Sequence, residues 1–179
     1  MITVISGTNR TGSHTEKFAK HFYKIIKSKS DEAIKYYSLQ KLPEDVLHAG
    51  MYQNRKQSKA LRAIQEEVMI PAHKFFVISP EYNGSFPGVL KLFIDACSIH
   101  EYAPTFKGKK AGLVGIATGR AGNLRGMDHL GAVFNHVGTE VMGKKLPISN
   151  VGELLEKNKI THEATLKVME NFVDDFLKY

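Results

Sequence analysis

The sequence has one cysteine, no tryptophan and no apolar run long enough to cross a membrane. With Cys97 alone, an intrachain disulfide and a cysteine-cluster metal site are both excluded, which is typical of a reducing compartment. The N-terminal residues also lack the pattern of a signal peptide. We therefore expect a cytoplasmic protein with no membrane partner.

Acidic side chains are also few, with 18 of them against 25 lysines and arginines, so the formal net charge is +7. This excess suits anionic substrates or cofactors. No long basic run accompanies it, and the lysines at 107–110 and 144–145 are interpreted as solvated turn and strand-end residues. The interpretation as a nucleic-acid-binding or regulatory protein would depend on the net charge alone, so no nucleic-acid partner is expected.

Segments with strand-like and helix-like apolar patterns alternate along the 179 residues. Strands are predicted at residues 2–5, 33–39, 75–78, 111–118 and 139–148, with Gly143 as a candidate break in the last. Helical spacing predicts five helices, at residues 18–26, 61–68, 89–97, 127–137 and 166–177, with Pro87 at the first position of the third. This alternation predicts one domain, residues 1–179, with a parallel sheet covered by helices on both faces.

The first loop, residues 6–15, joins the first strand to the first helix and contains two glycines, several hydroxyls, one arginine and no acid. Backbone N–H groups at a helix N-terminus favour an anion, so this loop predicts a phosphate site. Ser13 and His14 stand where a Walker A loop needs lysine and a hydroxyl, and no G-x-G-x-x-G is present. A terminal monophosphate, as in FMN, is therefore favoured. The alternative is a loop that only caps its helix.

Two further loops follow strands three and four, at the sheet edge where ligands of such folds bind. The second loop, residues 80–87, contains two prolines and an Asn-Gly pair that fix its backbone. It is suited to the polar edge of a flat heterocycle, and Tyr82 offers an aromatic surface. The third loop, residues 118–126, is rich in small residues that permit a close backbone approach.

Three motifs resemble the NADPH-dependent FMN reductase family. Residues 7–13, G-T-N-R-T-G-S, resemble its G-[ST]-x-R-x-x-S phosphate loop, and residues 80–85, P-E-Y-N-G-S, with P-G-V-L-K and Asp95 behind them, resemble its PEYN segment. Residues 119–126 with Leu130 resemble its glycine-rich third loop. The resemblance covers residues 1 to about 142.

The resemblance implies a flavodoxin-like three-layer sandwich with a five-stranded parallel sheet in the order 2-1-3-4-5. It implies bound FMN and hydride transfer from NADPH or NADH to a small-molecule acceptor, namely a quinone, an azo compound, a metal oxyanion or free flavin. The family is usually dimeric or tetrameric, so a homodimer or homotetramer is expected. Leu92 and Phe93 depart from the family's pattern in the helix that commonly contributes to the subunit interface, which leaves the oligomeric state open.

The resemblance also implies the residues that contact FMN. The first loop would hold the phosphate through Thr8, Arg10, Ser13, His14 and Thr15, with Ser6 at the base of the loop. The second loop would border the ring and the ribityl chain through Pro80, Glu81, Tyr82, Asn83, Gly84 and Ser85. The third loop would face the other side of the flavin through Thr118, Gly119 and Gly122. Arg10 has a second candidate role, as an anchor for the 2′-phosphate of NADPH.

No protein side chain is predicted to act as the catalyst, because the flavin N5 carries the chemistry. His14 is expected to be a phosphate-loop or helix-cap group, Glu81 and Asp95 to organise their loop and the interface, and Cys97 to lie in the core. The alternative function is a flavodoxin-like electron carrier without substrate turnover. Such carriers are usually acidic and lack the PEYN loop.

Overall fold

A computed structural model describes all residues 1–179, and a parallel sheet forms its middle layer. The strands are β1 (Ile2–Ser6), β2 (Ile34–Ser38), β3 (Lys74–Pro80), β4 (Lys110–Ile116), β5 (Glu140–Val141) and β6 (Leu146–Ile148). They lie in the order β2-β1-β3-β4, and both β5 and β6 pair along β4. The predicted strand order is therefore confirmed. The fifth position is shared by two short strands, because the chain leaves the sheet around Gly143.

Helices cover both faces of the sheet. They are α1 (His14–Lys29), α2 (Lys59–Ile64), α3 (Gly88–Cys97), α4 (Tyr102–Phe106), α5 (Leu124–His136) and α6 (Glu163–Lys178). One π-helical turn, Gln65–Met69, continues α2, and three single 3₁₀ turns, Leu39–Lys41, Glu44–Val46 and Asn54–Lys56, follow β2. None of these helices is long and apolar enough to span a membrane.

All five predicted helices are present, and three elements depart from the prediction. Helix α4 and the antiparallel hairpin of β7 (Leu155–Glu156) with β8 (Lys159–Ile160) were not predicted. These elements are too short to carry a periodic apolar pattern. Pro87 is the N-cap of α3 and not its first residue, a shift of one position that is ordinary at helix ends.

Two apolar cores lie on opposite faces of the sheet. Phe75 in β3 belongs to the core under α2, α3 and α5, and its ring stacks on Phe134 at 6.3 Å between centroids. Its neighbour Phe76 belongs to the core under α1 and α6, with the Phe176 ring at 4.9 Å. Successive side chains of a strand point to opposite faces, so a strand buried on both faces reads as a continuous apolar run.

Cys97 lies in the first core and is fully buried, as the sequence predicted. Burial raises the pKa of its thiol, so the side chain is a neutral apolar group at physiological pH. Phe93, which departs from the family's interface pattern, is also in this core, whereas Leu92 is only partly buried against it. The departure at Phe93 therefore affects core packing.

Lys109 corrects the prediction that all lysines at 107–110 are solvated. Its side chain is only 6% exposed, and Nζ donates hydrogen bonds to the carbonyls of Met69 at 2.6 Å and Ile70 at 2.8 Å. Nζ also lies 5.4 Å from the ring centroid of Phe75. The ammonium thus pairs with the last carbonyls of the π turn, as basic groups do at helix C-termini. Burial lowers the pKa of Lys109 to about 8.

Candidate functional site

The first, second and third loops leave the sheet side by side at its carboxyl edge. The register of the strands brings this about, because Ser6 pairs with Ile78, and Pro80 pairs with Ile116. A cleft of about 220 Å³ lies between the loops. Eight of the fifteen predicted residues line it: Arg10, Ser13, His14, Thr15, Pro80, Glu81, Tyr82 and Thr118. Four lining residues were not predicted: Gly12, Ile116, Ala117 and Val151.

The first loop presents a row of unpaired backbone donors. The N–H groups of residues 11–15 donate to no acceptor within the chain. Gly12 has φ +65°, and Ser13 caps α1 by accepting the N–H of Glu16 at 3.2 Å. Successive free amides at the start of a helix form a nest for an anion, which the helix dipole also favours. The residues present therefore fit the phosphate of a bound nucleotide.

The Arg10 guanidinium places one positive charge beside this nest. Arg10 and His14 line the cleft beside it, and Glu81 is the only acid among the lining residues. Burial, together with Lys17 and Arg10, lowers the pKa of His14, which favours the neutral imidazole at pH 7. The carboxylate of Glu16 accepts a hydrogen bond from the Ser38 hydroxyl at 2.8 Å and does not line the cleft.

Ser6 and Thr8 belong to the first loop but do not line the cleft. Both are fully buried. The Ser6 Oγ has no hydrogen-bond partner, and the Thr8 Oγ1 accepts the N–H of Arg10 at 3.2 Å. The Tyr82 hydroxyl comes within 3.5 Å of that Thr8 oxygen, so the tyrosine side chain reaches from the second loop to the first.

The second loop is a tight turn. Tyr82 and Ser85 exchange backbone hydrogen bonds of 2.8 and 3.0 Å, with Asn83 at φ 52° and Gly84 at φ 74° between them. A type I′ turn requires a positive φ at both central residues, and Asn-Gly is favoured there because both residues tolerate it. A Cβ on Gly84 would stand 3.6 Å from the Arg125 guanidinium, which is ordinary contact. Within the chain, glycine is therefore required at this position for its backbone conformation.

The third loop is joined to the second by Asn123 and Glu81. The backbone N–H of Asn123 donates to the Glu81 carboxylate at 3.1 Å, and Arg125 Nη2 lies 3.8 Å from the other oxygen of that carboxylate. Glu81 thus organises its loop, in agreement with the sequence analysis. Asn123 and Arg125 were not predicted, and the only signal for Asn123 was an asparagine, which tolerates positive φ, directly before a helix.

The third-loop glycines make contacts with β6 and with the segment that follows it. The Gly119 carbonyl accepts the N–H of Asn150 at 3.3 Å, and a Cβ on Gly122 would stand 2.6 Å from the Pro147 Cβ. Val151 reaches the cleft because its N–H donates to Ala117 at 3.2 Å, a contact with no sequence signal. Besides Ser6 and Thr8, the predicted residues outside the cleft lining are Asn83, Gly84, Ser85, Gly119 and Gly122, and their contacts with FMN stay predictions.

Residues 1–153 match the family model described as NADPH-dependent FMN reductase, and the matched range contains all three loops of the cleft. The chain belongs to the NADPH-dependent FMN reductase family. It is therefore an oxidoreductase whose cofactor is FMN and whose electron donor is NAD(P)H. Its substrates are small-molecule electron acceptors.

Three known proteins are similar to this chain. A 2-hydroxy-1,4-benzoquinone reductase of a Burkholderia species is 25% identical over 177 residues, which are 98% of this reductase and 93% of the relative. The structure of FerB, a flavoenzyme NAD(P)H:(acceptor) oxidoreductase from Paracoccus denitrificans, gives a TM-score of 0.82 at 24% identity, with 99% and 95% of the two chains covered. An oxidised flavodoxin from Bacillus cereus gives 0.60 at 15% identity, with 99% and 97% covered. These structural neighbours confirm the predicted flavodoxin-like fold.

Proposed function

We propose that this reductase passes hydride from NAD(P)H through bound FMN to a quinone, an azo compound, a metal oxyanion or free flavin. The observation that carries the proposal is the row of free N–H groups at residues 11–15, at the mouth of a cleft that Arg10 also lines. Quinones are the favoured acceptors, because the quinone-reducing relative aligns over 98% of the chain.

In this proposal the first loop binds the FMN phosphate. The free amides, the Ser13 and Thr15 hydroxyls and the Arg10 guanidinium supply the donors, and charge-assisted bonds of this kind are the stronger ones. The flavin ring then lies along the second and third loops, over a floor that includes Ile116 and Ala117. Arg10 keeps its second candidate role toward the 2′-phosphate of NADPH.

Bound FMN supplies a centre that accepts and returns a hydride, so the protein's own part is to bind, orient and shield it. Tyr82, 37% exposed, bridges the first and second loops at the mouth of the cleft and shapes the space above the ring. The nicotinamide and the acceptor need the same exposed ring face. We therefore propose that they bind in turn, by a ping-pong mechanism.

The organisation of the protein is part of the same proposal. We propose that residues 1–179 form one domain, since the two apolar cores share a single sheet. A homodimer or homotetramer in the cytoplasm remains the proposed form. The electron-carrier alternative is distinguished by redox titration, because a carrier stabilises the one-electron semiquinone, whereas a hydride-transfer enzyme passes two electrons together.

Calorimetric titration with FMN tests the cofactor site. Arg10→Ala and Ser13→Ala should each weaken FMN binding by about 1–3 kcal/mol, because each removes a donor to a charged group. Ser13→Ala also removes a helix cap, so Ser58→Ala, which removes the cap of α2, is its matched control. Arg55→Ala, at an exposed position away from the cleft, controls for charge.

Both controls should bind FMN as the wild type does. A wild type that binds no FMN would refute the cofactor site. Unchanged affinity in both Arg10→Ala and Ser13→Ala would refute the assignment of the phosphate to the first loop.

A further inference from the structure

The side-chain amide of Asn123 is buried where three segments meet. The residue is only 1% exposed, and its Nδ2 donates to the backbone carbonyls of Ser79 at 3.0 Å and Pro80 at 2.9 Å. Its backbone N–H donates to the Glu81 carboxylate at 3.1 Å. One residue at the start of α5 therefore bonds to three successive residues at the point where β3 becomes the second loop.

The end of β3 has a neighbouring strand on one side only. Strand β1 pairs with β3 only as far as Ile78, so Ser79 and Pro80 extend beyond their neighbour on that side. Buried carbonyls without a donor are destabilising, and water does not reach the fully buried Ser79. Strand β4 continues alongside both residues, and the Ser79 hydroxyl donates to the Pro80 carbonyl at 3.2 Å. The Asn123 amide adds a further donor to each of the two carbonyls from the side of α5.

The chain holds this amide in place with an unusual local conformation. Asn123 has φ 62°, which is unfavourable for most residues other than glycine. A Cβ on Gly126 would stand 1.9 Å from the Asn123 Oδ1, and a Cβ on Gly115 would stand 3.0 Å from its Cβ. The Oδ1 has no hydrogen-bond partner although it is buried. The positive φ of Asn123 and the absence of side chains at Gly115 and Gly126 thus allow its amide to point the Nδ2 hydrogens at Ser79 and Pro80. The Oδ1 is left unpaired in this orientation.

Helix α5 also holds the far end of the second loop. Ser85 Oγ lies 2.9 Å from His129 Nδ1, and the Arg125 guanidinium lies beside both Gly84 and Glu81. The loop is therefore attached to α5 at its start by Asn123 and at its tip by His129. Asn123 and His129 themselves do not line the cleft, whereas Pro80, Glu81 and Tyr82 of the second loop do.

We propose that Asn123 is a positioning residue for the cofactor: it fixes, from α5, the backbone at residues 79–81 that presents the second loop to FMN. This inference rests on the proposed binding of FMN along that loop. The residue acts on the flavin only through Pro80 and Glu81, so its loss should alter the geometry of the site while the fold is retained.

Two substitutions at Asn123 test this role. Asn123→Asp keeps the size and the tolerance of positive φ, but puts a carboxylate oxygen against two carbonyls. Asn123→Gly keeps the backbone conformation and removes the amide. Asn158, with φ 66° in the exposed turn between β7 and β8, is the matched control, and it receives the same two substitutions.

Hydrogen exchange of the cofactor-free protein is the first readout. The N–H groups of Glu81, Tyr82 and Ser85 are hydrogen-bonded in the wild type, to Ile116, Ser85 and Tyr82 respectively. Both Asn123 variants should exchange them about tenfold faster, as expected for the loss of about one net hydrogen bond, with β1 and α6 unchanged. Acceleration confined to the loop supports the positioning role. Faster exchange throughout the protein would overturn the proposal, because Asn123 would then only stabilise the fold. Unchanged exchange would also overturn it, because Asn123 would then not hold the loop.

The FMN dissociation constant is the second readout. It should rise about tenfold in both Asn123 variants and change less than about twofold in the Asn158 variants. An unchanged constant with a loosened loop would overturn the link from loop geometry to the cofactor. A wild type that binds no FMN would refute the proposed function, while the exchange experiment would still decide whether Asn123 holds the loop.

Discussion

Lys109 should make the stability of this reductase rise with pH above about 8. In the folded chain burial lowers the pKa of this ammonium to about 8, from an ordinary value of 10.5. Below pH 8 both the folded and the unfolded chain carry the proton. Between pH 8 and 10.5 the unfolded chain binds more protons than the folded one, so the free energy of unfolding increases with pH.

The size of the effect follows from the same pKa difference. Each pH interval of one unit within that window contributes about 1.4 kcal/mol, so the rise from pH 8 to 9.5 is at most about 2 kcal/mol. It is an upper limit because the Met69 and Ile70 carbonyls accept hydrogen bonds from Nζ and favour its charged form. Burial raises the pKa of Tyr36 and Tyr37 above the ordinary value of 10. The unfolded chain therefore loses these protons first, and the two tyrosines lower the free energy of unfolding only above pH 10, outside this interval.

Urea denaturation at pH 7 to 9.5 measures the effect as a difference between variants. Lys109→Met keeps most of the side-chain length and removes the titrating group, so it should lose the part of the rise that Lys109 contributes. Burial also lowers the pKa of Lys74, and that contribution stays in both proteins. Lys59→Met, at an exposed position in α2, should keep the wild-type pH dependence. The reasoning is refuted if wild type and Lys109→Met share the same dependence on pH, or if wild-type stability falls between pH 8 and 9.5.

Two further predictions concern the cleft. Gly84→Val should lower FMN occupancy and the melting temperature, since a β-branched residue at φ 74° is strained by roughly 1–3 kcal/mol. The control variant Gly84→Asn should retain most of the occupancy and of the melting temperature. Full FMN occupancy in Gly84→Val would contradict a role for this turn. Initial-rate kinetics with NADH and 2-hydroxy-1,4-benzoquinone should give parallel double-reciprocal lines, because donor and acceptor share one ring face. Intersecting lines would indicate a ternary complex and contradict that idea.

The sequence alone determined the layer architecture and the location of the cleft. Strand β3 reads as an unbroken apolar run because both its faces are buried, and the strand–helix alternation then requires a parallel sheet with its loops at the carboxyl edge. The Asn83-Gly84 turn and the free N–H groups of the first loop were also predictable, because backbone φ preferences and helix-capping chemistry are local properties of a few neighbouring residues.

Only the tertiary structure decided what Lys109 and Asn123 do. Lys109 bonds to a carbonyl 40 positions away, and the Asn123 amide bonds to one 44 positions away. Neither contact leaves a periodic or turn signal, because the partner is a backbone carbonyl that every residue type carries. Val151 enters the cleft for the same reason, through a backbone hydrogen bond to Ala117. Local patterns specify which elements form, whereas packing between distant segments decides which polar groups meet.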